Sequence, residues 1–117
     1  GWRKYRENTG LEIIASEMRL HHESYRYAGT ADVFGRLKGR PAVIDIKSGL
    51  VPKTVGAQTA AYAECIQHAE RESRRLDRYC VQLMPGNYRV HRLTETADWH
   101  LFLSCLNITA WRMKNAR

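Results

Sequence analysis

From Leu11 to Leu93 the chain alternates short apolar runs with charged or glycine-bearing breaks, and with its two ends the pattern predicts eight elements. Trp2 to Asn8 reads as the last turns of a helix, stopped by Gly10 and cut short, as though the chain begins inside a longer protein. Leu11 to His22, rich in Ile and Leu, predicts a strand, and Tyr25 to Leu37 a second, with Gly29 and Gly35 near its limits. Lys38-Gly39-Arg40 predicts a turn. Pro41 to Lys47 predicts a third strand, whose β-branched centre, Val43-Ile44, suits burial on both faces. After a loop from Ser48 to Lys53, Thr54 to Arg74 has helical period. Ala57, Ala60, Ala61, Cys65 and Ala69 recur there at spacings of three or four, a face small enough to approach a sheet closely. Arg78 to Met84 and Tyr88 to Leu93 predict two more strands around a Pro85-Gly86-Asn87 turn. Thr94 is the expected N-cap of a closing helix, Glu95 to Met113, with Trp99, Phe102, Leu103, Leu106 and Trp111 as its core stripe. The expected fold is α/β (α+β): one central mixed five-stranded sheet flanked by helices, in the order α-β-β-β-α-β-β-α.

Composition narrows this little. The 117 residues suit a single domain over 1–117, and 44% hydrophobic residues suffice for one core. No apolar run approaches the ~18 residues a membrane span needs. No apolar stretch follows the basic N-terminus as a signal peptide would require. Cys65, Cys80 and Cys105 are far apart and include no C-x-x-C pair, which argues against a zinc or iron–sulfur site and for reduced thiols in a cytoplasmic protein. The charge balance adds more. Lys and Arg number 19 against 12 Asp and Glu, a net charge of +7, which favours a polyanionic partner through counterion release.

The chemistry concentrates in Ala42 to Gly49. Asp45 and Lys47 sit two apart on an apolar strand, so both point to one face. An unlike pair on a buried strand is costly, because both charges lose water, unless it faces a cleft and acts there. On a surface the same pair would be a simple ion bridge of little value. The turn at Lys38-Gly39-Arg40 would make the second and third strands an antiparallel hairpin and bring Asp32 beside Asp45. Two acids and a lysine on neighbouring strands suit a divalent metal that activates water against a phosphodiester. Glu17, mid-strand on the first strand, is a candidate third acid, with Glu12 and Glu23 as competitors. Gln58 and Tyr62, four apart, share one face of the following helix.

Asp32, Asp45-Ile46-Lys47, Gln58 and Tyr62, with Gly29 before the first acid and Gly49 after the lysine, resemble the signature of the PD-(D/E)XK nucleases in their RecB-type exonuclease branch. The resemblance covers about half the chain, from Leu11 to Glu70. It implies a restriction-endonuclease-like core and a metal-dependent deoxyribonuclease, an exonuclease processing DNA ends in recombination or repair. A structure- or site-specific endonuclease is the alternative within that class, and a nucleic-acid-binding module of a helicase-nuclease machine is the alternative outside it. By the resemblance, Asp32, Asp45 and the Ile46 carbonyl would hold Mg²⁺ or Mn²⁺. Lys47 would orient or deprotonate the attacking water, Gln58 would brace the site, and Tyr62 would contact the nucleic-acid strand. The implied partners are DNA and a helicase or recombination protein, in the cytoplasm of a bacterium or phage-infected cell. The histidine that the family often carries before the first strand is missing, and His21 and His22 read as loop or surface residues. Three cysteines cannot supply the four-cysteine cluster of some relatives.

Basic residues outside the motif are further candidates. Arg71, Arg74 and Arg75, with Arg78 beyond them, follow the Gln58–Tyr62 helix and would share one helical side able to grip phosphates; Lys53 is similar. Trp2, Tyr5, Tyr25 and Tyr27 are aromatic residues that could stack on bases, though packing suits most of them.

Overall fold

A computed structural model describes residues 1–72 and 74–115. The elements are α1 (Trp2–Thr9), β1 (Glu12–His22), β2 (Tyr27–Leu37), β3 (Arg40–Ser48), α2 (Val55–Ala69), β4 (Asp77–Met84), β5 (Asn87–Arg92) and α3 (Ala97–Asn115). The order matches the expected one. The sheet is open and mixed, in the order β1-β2-β3-β4-β5. All neighbours are antiparallel except β3 and β4, which the crossover helix α2 makes parallel.

β3 is central because of its sequence. Pro41 to Asp45 are buried without a break, the mark of a strand covered on both faces. Val43 joins Leu20, Ala31, Phe34, Cys65 and Ile66 in a core beneath α2. Ile44 joins Tyr5, Leu11, Val33 and Val81 in a second core on the α1 side. The alternation of one strand thus serves two layers.

The helix ends depart from the expected pattern. α2 stops at Ala69, and Arg71 carries a left-handed φ of 49°. Ile66 is the last buried position of the helix, and from His68 to Arg71 the residues are exposed. Arg71, Arg74 and Arg75 therefore do not share a helical side; Ser73, which that expectation spans, lies outside the described residues. α3 begins at Ala97, not after Thr94, and the Glu95 carboxylate accepts the Ala97 N–H at 3.0 Å. Trp99, Phe102, Leu103 and Leu106 are half-buried, but Trp111 is 66% exposed and no α3 residue is fully buried. His22 also corrects the expectation of a surface residue. It is buried, with its ring stacked 5.5 Å from Tyr27 and 5.2 Å from His68. Of the other aromatic candidates, Tyr5 is buried in the core and Tyr27 donates its hydroxyl to the Ala61 carbonyl at 2.8 Å. Among the described residues, no helix is long and apolar enough to cross a membrane.

Candidate metal centre where β2 and β3 part

The two-residue turn Lys38-Gly39 pairs Leu37 with Arg40, and the ladder runs back to Val33 opposite Ile44. There the pairing ends. The Ile46 N–H is taken by a side chain, donating to Asp32 Oδ2 at 2.7 Å. Asp32 thus substitutes for the ladder at the point of divergence and fixes itself against β3.

Asp45 lies beside it, with a side chain only 6% exposed. Lys47 Nζ stands 3.3 Å from Asp45 Oδ2, near enough for an ion pair but outside hydrogen-bond geometry, so Oδ2 is buried with no donor. Burial pushes the Asp45 carboxyl above the usual carboxylate range; Lys47 opposes the shift, and the neighbouring Asp32 charge reinforces it. A buried acceptor with no hydrogen-bond donor, beside a second carboxylate and only partly offset by Lys47, gains from a further positive charge. That is the physical case that these residues fit a hard divalent cation, which prefers oxygen donors.

The other candidates fall as follows. Ile46 is half-buried and lines a cleft of about 320 Å³ with Asp32, Glu17, Ser16, Val33 and Trp2. Glu17 lies across from Asp32, between the pairs Ser16–Val33 and Met18–Ala31. Its φ of 50° is unusual for a glutamate within a strand, and its side chain is exposed. It reaches the cleft but does not complete a ligand cluster: among the described residues no group of three His, Cys, Asp or Glu could hold a metal. Glu12 and Glu23 are exposed and do not line this cleft. Cys80 pairs with Asp45 across β3 and β4. Burial, reinforced by the Asp45 charge, pushes its thiol up to about 11, so it remains a protonated, inert neighbour.

Gln58 and Tyr62 act as one unit, Gln58 Nε2 donating to the Tyr62 hydroxyl at 2.9 Å. The Tyr62 ring lies against the backbone of Gly29, where an added Cβ would meet Tyr62 Cε1 at 2.7 Å. Glycine is needed here for close approach. Gly29→Ala is expected to push the ring off its seat. The overpacking should cost about 1–3 kcal/mol, and in the deoxyribonuclease that the resemblance implies, with Tyr62 on the substrate strand, cleavage should fall about ten- to hundredfold. Parallel steady-state kinetics and thermal melts check this.

Lys53 is exposed in the loop before α2, and Arg71 is exposed at the α2 end. Arg74 and Arg75 are exposed at the opposite end of β3 from Lys47, with Arg74 Nη2 donating to the Gly39 carbonyl at 3.2 Å. Arg78 is no phosphate grip. It is buried, with Nη1 2.9 Å from Asp98 Oδ2.

Sequence reasoning missed Gln82 and His91. Gln82 pairs with Lys47, donates to the Gly49 carbonyl at 2.6 Å, and meets His91 Nε2 at 3.0 Å through its own oxygen. This bridge steadies the chain just past Lys47. Only the parallel β3–β4 register reveals it, and no local spacing encodes that register.

No family model matches the chain, and no curated protein matches it in sequence. Among solved structures it is similar to the crystal structure of SSO0001, with a TM-score of 0.53 and 17% identity over 97% of this chain. The match covers 56% of that longer protein. At this identity the likeness shows a shared fold.

Proposed function

We propose that the chain is a divalent-metal-dependent nuclease that hydrolyses DNA phosphodiester bonds, and that it acts on DNA ends. One observation carries the reading: two carboxylates meet beside Lys47 where β2 and β3 part, and the buried Asp45 Oδ2 has no donor. Asp32, Asp45 and the Ile46 carbonyl would hold the ion. Bound Mg²⁺ or Mn²⁺ would polarise a phosphate oxygen and lower the pKa of a coordinated water.

Lys47, with a side chain 29% exposed, keeps its ammonium 3.3 Å from Asp45 Oδ2. There it can orient the attacking water or offset the charge that grows on the phosphorane-like oxygens. Gln58 fixes the Tyr62 hydroxyl, and Tyr62 would contact the substrate strand. The resemblance to RecB-type nucleases adds support through the same residues in the same order.

The test is cleavage of end-labelled single- and double-stranded DNA with Mg²⁺ or Mn²⁺. Loss of activity in chelator is expected, as is preference for linear over closed circular substrate. Cleavage of closed circles would favour an endonuclease. No cleavage of any substrate would end the nuclease reading. A second reading is a nucleic-acid-binding module within a larger helicase or recombination assembly. It is favoured by the presence of only two converging acids among the described residues.

A further inference from the structure

We propose that the end of the sheet remote from Asp45 is a second docking surface, one that takes the phosphate backbone of a nucleic-acid strand. It rests on DNA being the partner, as proposed above, but not on cleavage. The β2–β3 turn, the starts of β3 and β4 and the end of β5 meet at this end, where Leu37 pairs with Arg40, Ala42 with Asp77 and Tyr79 with Arg92. Two clefts of about 320 and 190 Å³ share a wall made of Arg40, Asp77 and Arg92. Lys38 lines the larger and Arg75 the smaller. Arg74 reaches the same turn through the Gly39 carbonyl.

Five cationic side chains thus share this end of the sheet with one carboxylate, Asp77, which among the described residues only Arg40 and Arg92 approach. Asp77 is committed to Arg40 by two hydrogen bonds, at 2.8 and 3.1 Å, and Arg92 stands 3.9 Å from it. Glu72 is occupied by Arg36 at 3.6 Å and by the Arg74 N–H. The positive charge is therefore left for an outside partner. Lys38 on the β2–β3 turn, Arg40 on β3 and Arg92 on β5 follow the strand order along the sheet's end, and all three are exposed. A row of separated, exposed cations matches a chain of phosphates better than one compact anion. Arg40 and Asp45 are five residues apart on β3, roughly 17 Å at the rise of a strand, so this surface is distinct from the acid pair.

The test is binding, read in chelator so that cleavage plays no part. Anisotropy of a labelled single strand and its duplex is followed from about 50 to 200 mM salt, the range over which phosphate contacts show themselves. Lys38, Arg75 and Arg92 are changed together to Gln. Arg40 stays, because Asp77 depends on it. A control triple, Arg26→Gln, Arg112→Gln and Lys114→Gln, removes the same charge elsewhere. Melting curves confirm that both variants fold. The site triple is expected to weaken binding about tenfold or more and to lower the single-strand salt slope by roughly 2, near 0.7 per lost contact. The control should change far less. Equal loss in both triples, no loss in the site triple, or no binding by the unaltered protein overturns the proposal. Binding that follows this pattern in a protein that cleaves nothing with metal would sink the nuclease reading and leave this surface standing.

Discussion

Asp45→Asn is expected to cut metal-dependent cleavage about a hundred- to thousandfold while raising the thermal midpoint of the metal-free protein. The activity loss follows from removing one of two ligand carboxylates at a charge-stabilising centre. The gain in stability follows from linkage. Folding raises the Asp45 pKa, chiefly through burial and further through Asp32, so the native state binds the proton more tightly than the unfolded chain does. Stability is then fullest below the unfolded pKa of about 3.9 and falls as pH rises through the folded value. At neutral pH the ionised, donor-less Asp45 Oδ2 is a net cost. Asparagine carries no charge and can donate to Asp32, so relief of about 1 kcal/mol is expected, within the range for correcting a strained functional site. Added Mg²⁺ or Mn²⁺ should raise the midpoint of the unaltered protein, by about 2.7 kcal/mol of stability at a hundredfold excess over Kd, and leave Asp45→Asn unmoved. Melts at neutral pH with and without metal, beside a cleavage assay, measure both arms. A destabilised Asp45→Asn protein, or one that still gains from metal, would show that Asp45 is a structural acid.

The acid pair was legible because a two-residue turn fixes register. Leu37 faces Arg40, and five residues back along either strand brings Asp32 and Asp45 to the same level. The apolar run Pro41 to Ile44 marked the central strand just as directly. Glu17 was legible as an acid across from Asp32 on the same cleft, but not in its conformation. β1 shifts register between Ile13 and Ala15, and the left-handed backbone at Glu17 breaks the alternation again, so counting along the strand does not give that conformation. The α2 end was illegible for another reason. Nothing in the sequence of Glu70 to Arg75 forbids helix; the chain leaves it at Arg71, whose φ of 49° is left-handed, once its residues are exposed. Trp111 misled in the same way, since helical period puts it near a core stripe while α3 extends past the elements that could cover it. Lys38, Arg40 and Arg92 gave no signal as a cluster, because only the strand order brings them together.

Arg78→Ala is expected to cost about 3–5 kcal/mol, the usual result of leaving a buried charge without its partner, out of the ~5–15 kcal/mol that holds a domain together. In the basic run Arg71 to Arg78 it reads as one more surface cation. In the fold it is 8% exposed and joins three elements. Its guanidinium donates to the Gly56 carbonyl at 2.8 Å, to Asp98 Oδ2 at 2.9 Å and to the Glu95 carbonyl at 3.0 Å. Gly56 allows this approach, since a Cβ there would meet Asp98 Oδ2 at 2.6 Å. The bond network ties β4 to the start of both α2 and α3. α3 depends on it more than α2 does, because it buries no residue fully and is otherwise held by half-buried aromatics such as Trp99 and Phe102 against Tyr27. Removing Arg78 should therefore free α3 first. Amide exchange would show protection lost along α3 before α2, and Trp99 emission would shift red in a protein whose Trp2 and Trp111 are replaced by Phe. Arg78→Met with Asp98→Leu, which removes both charges and keeps apolar bulk, should recover much of the loss. Equal fraying of α2 and α3, or no recovery in the double variant, would mean that Arg78 acts through packing and not as the charged anchor of the closing helix.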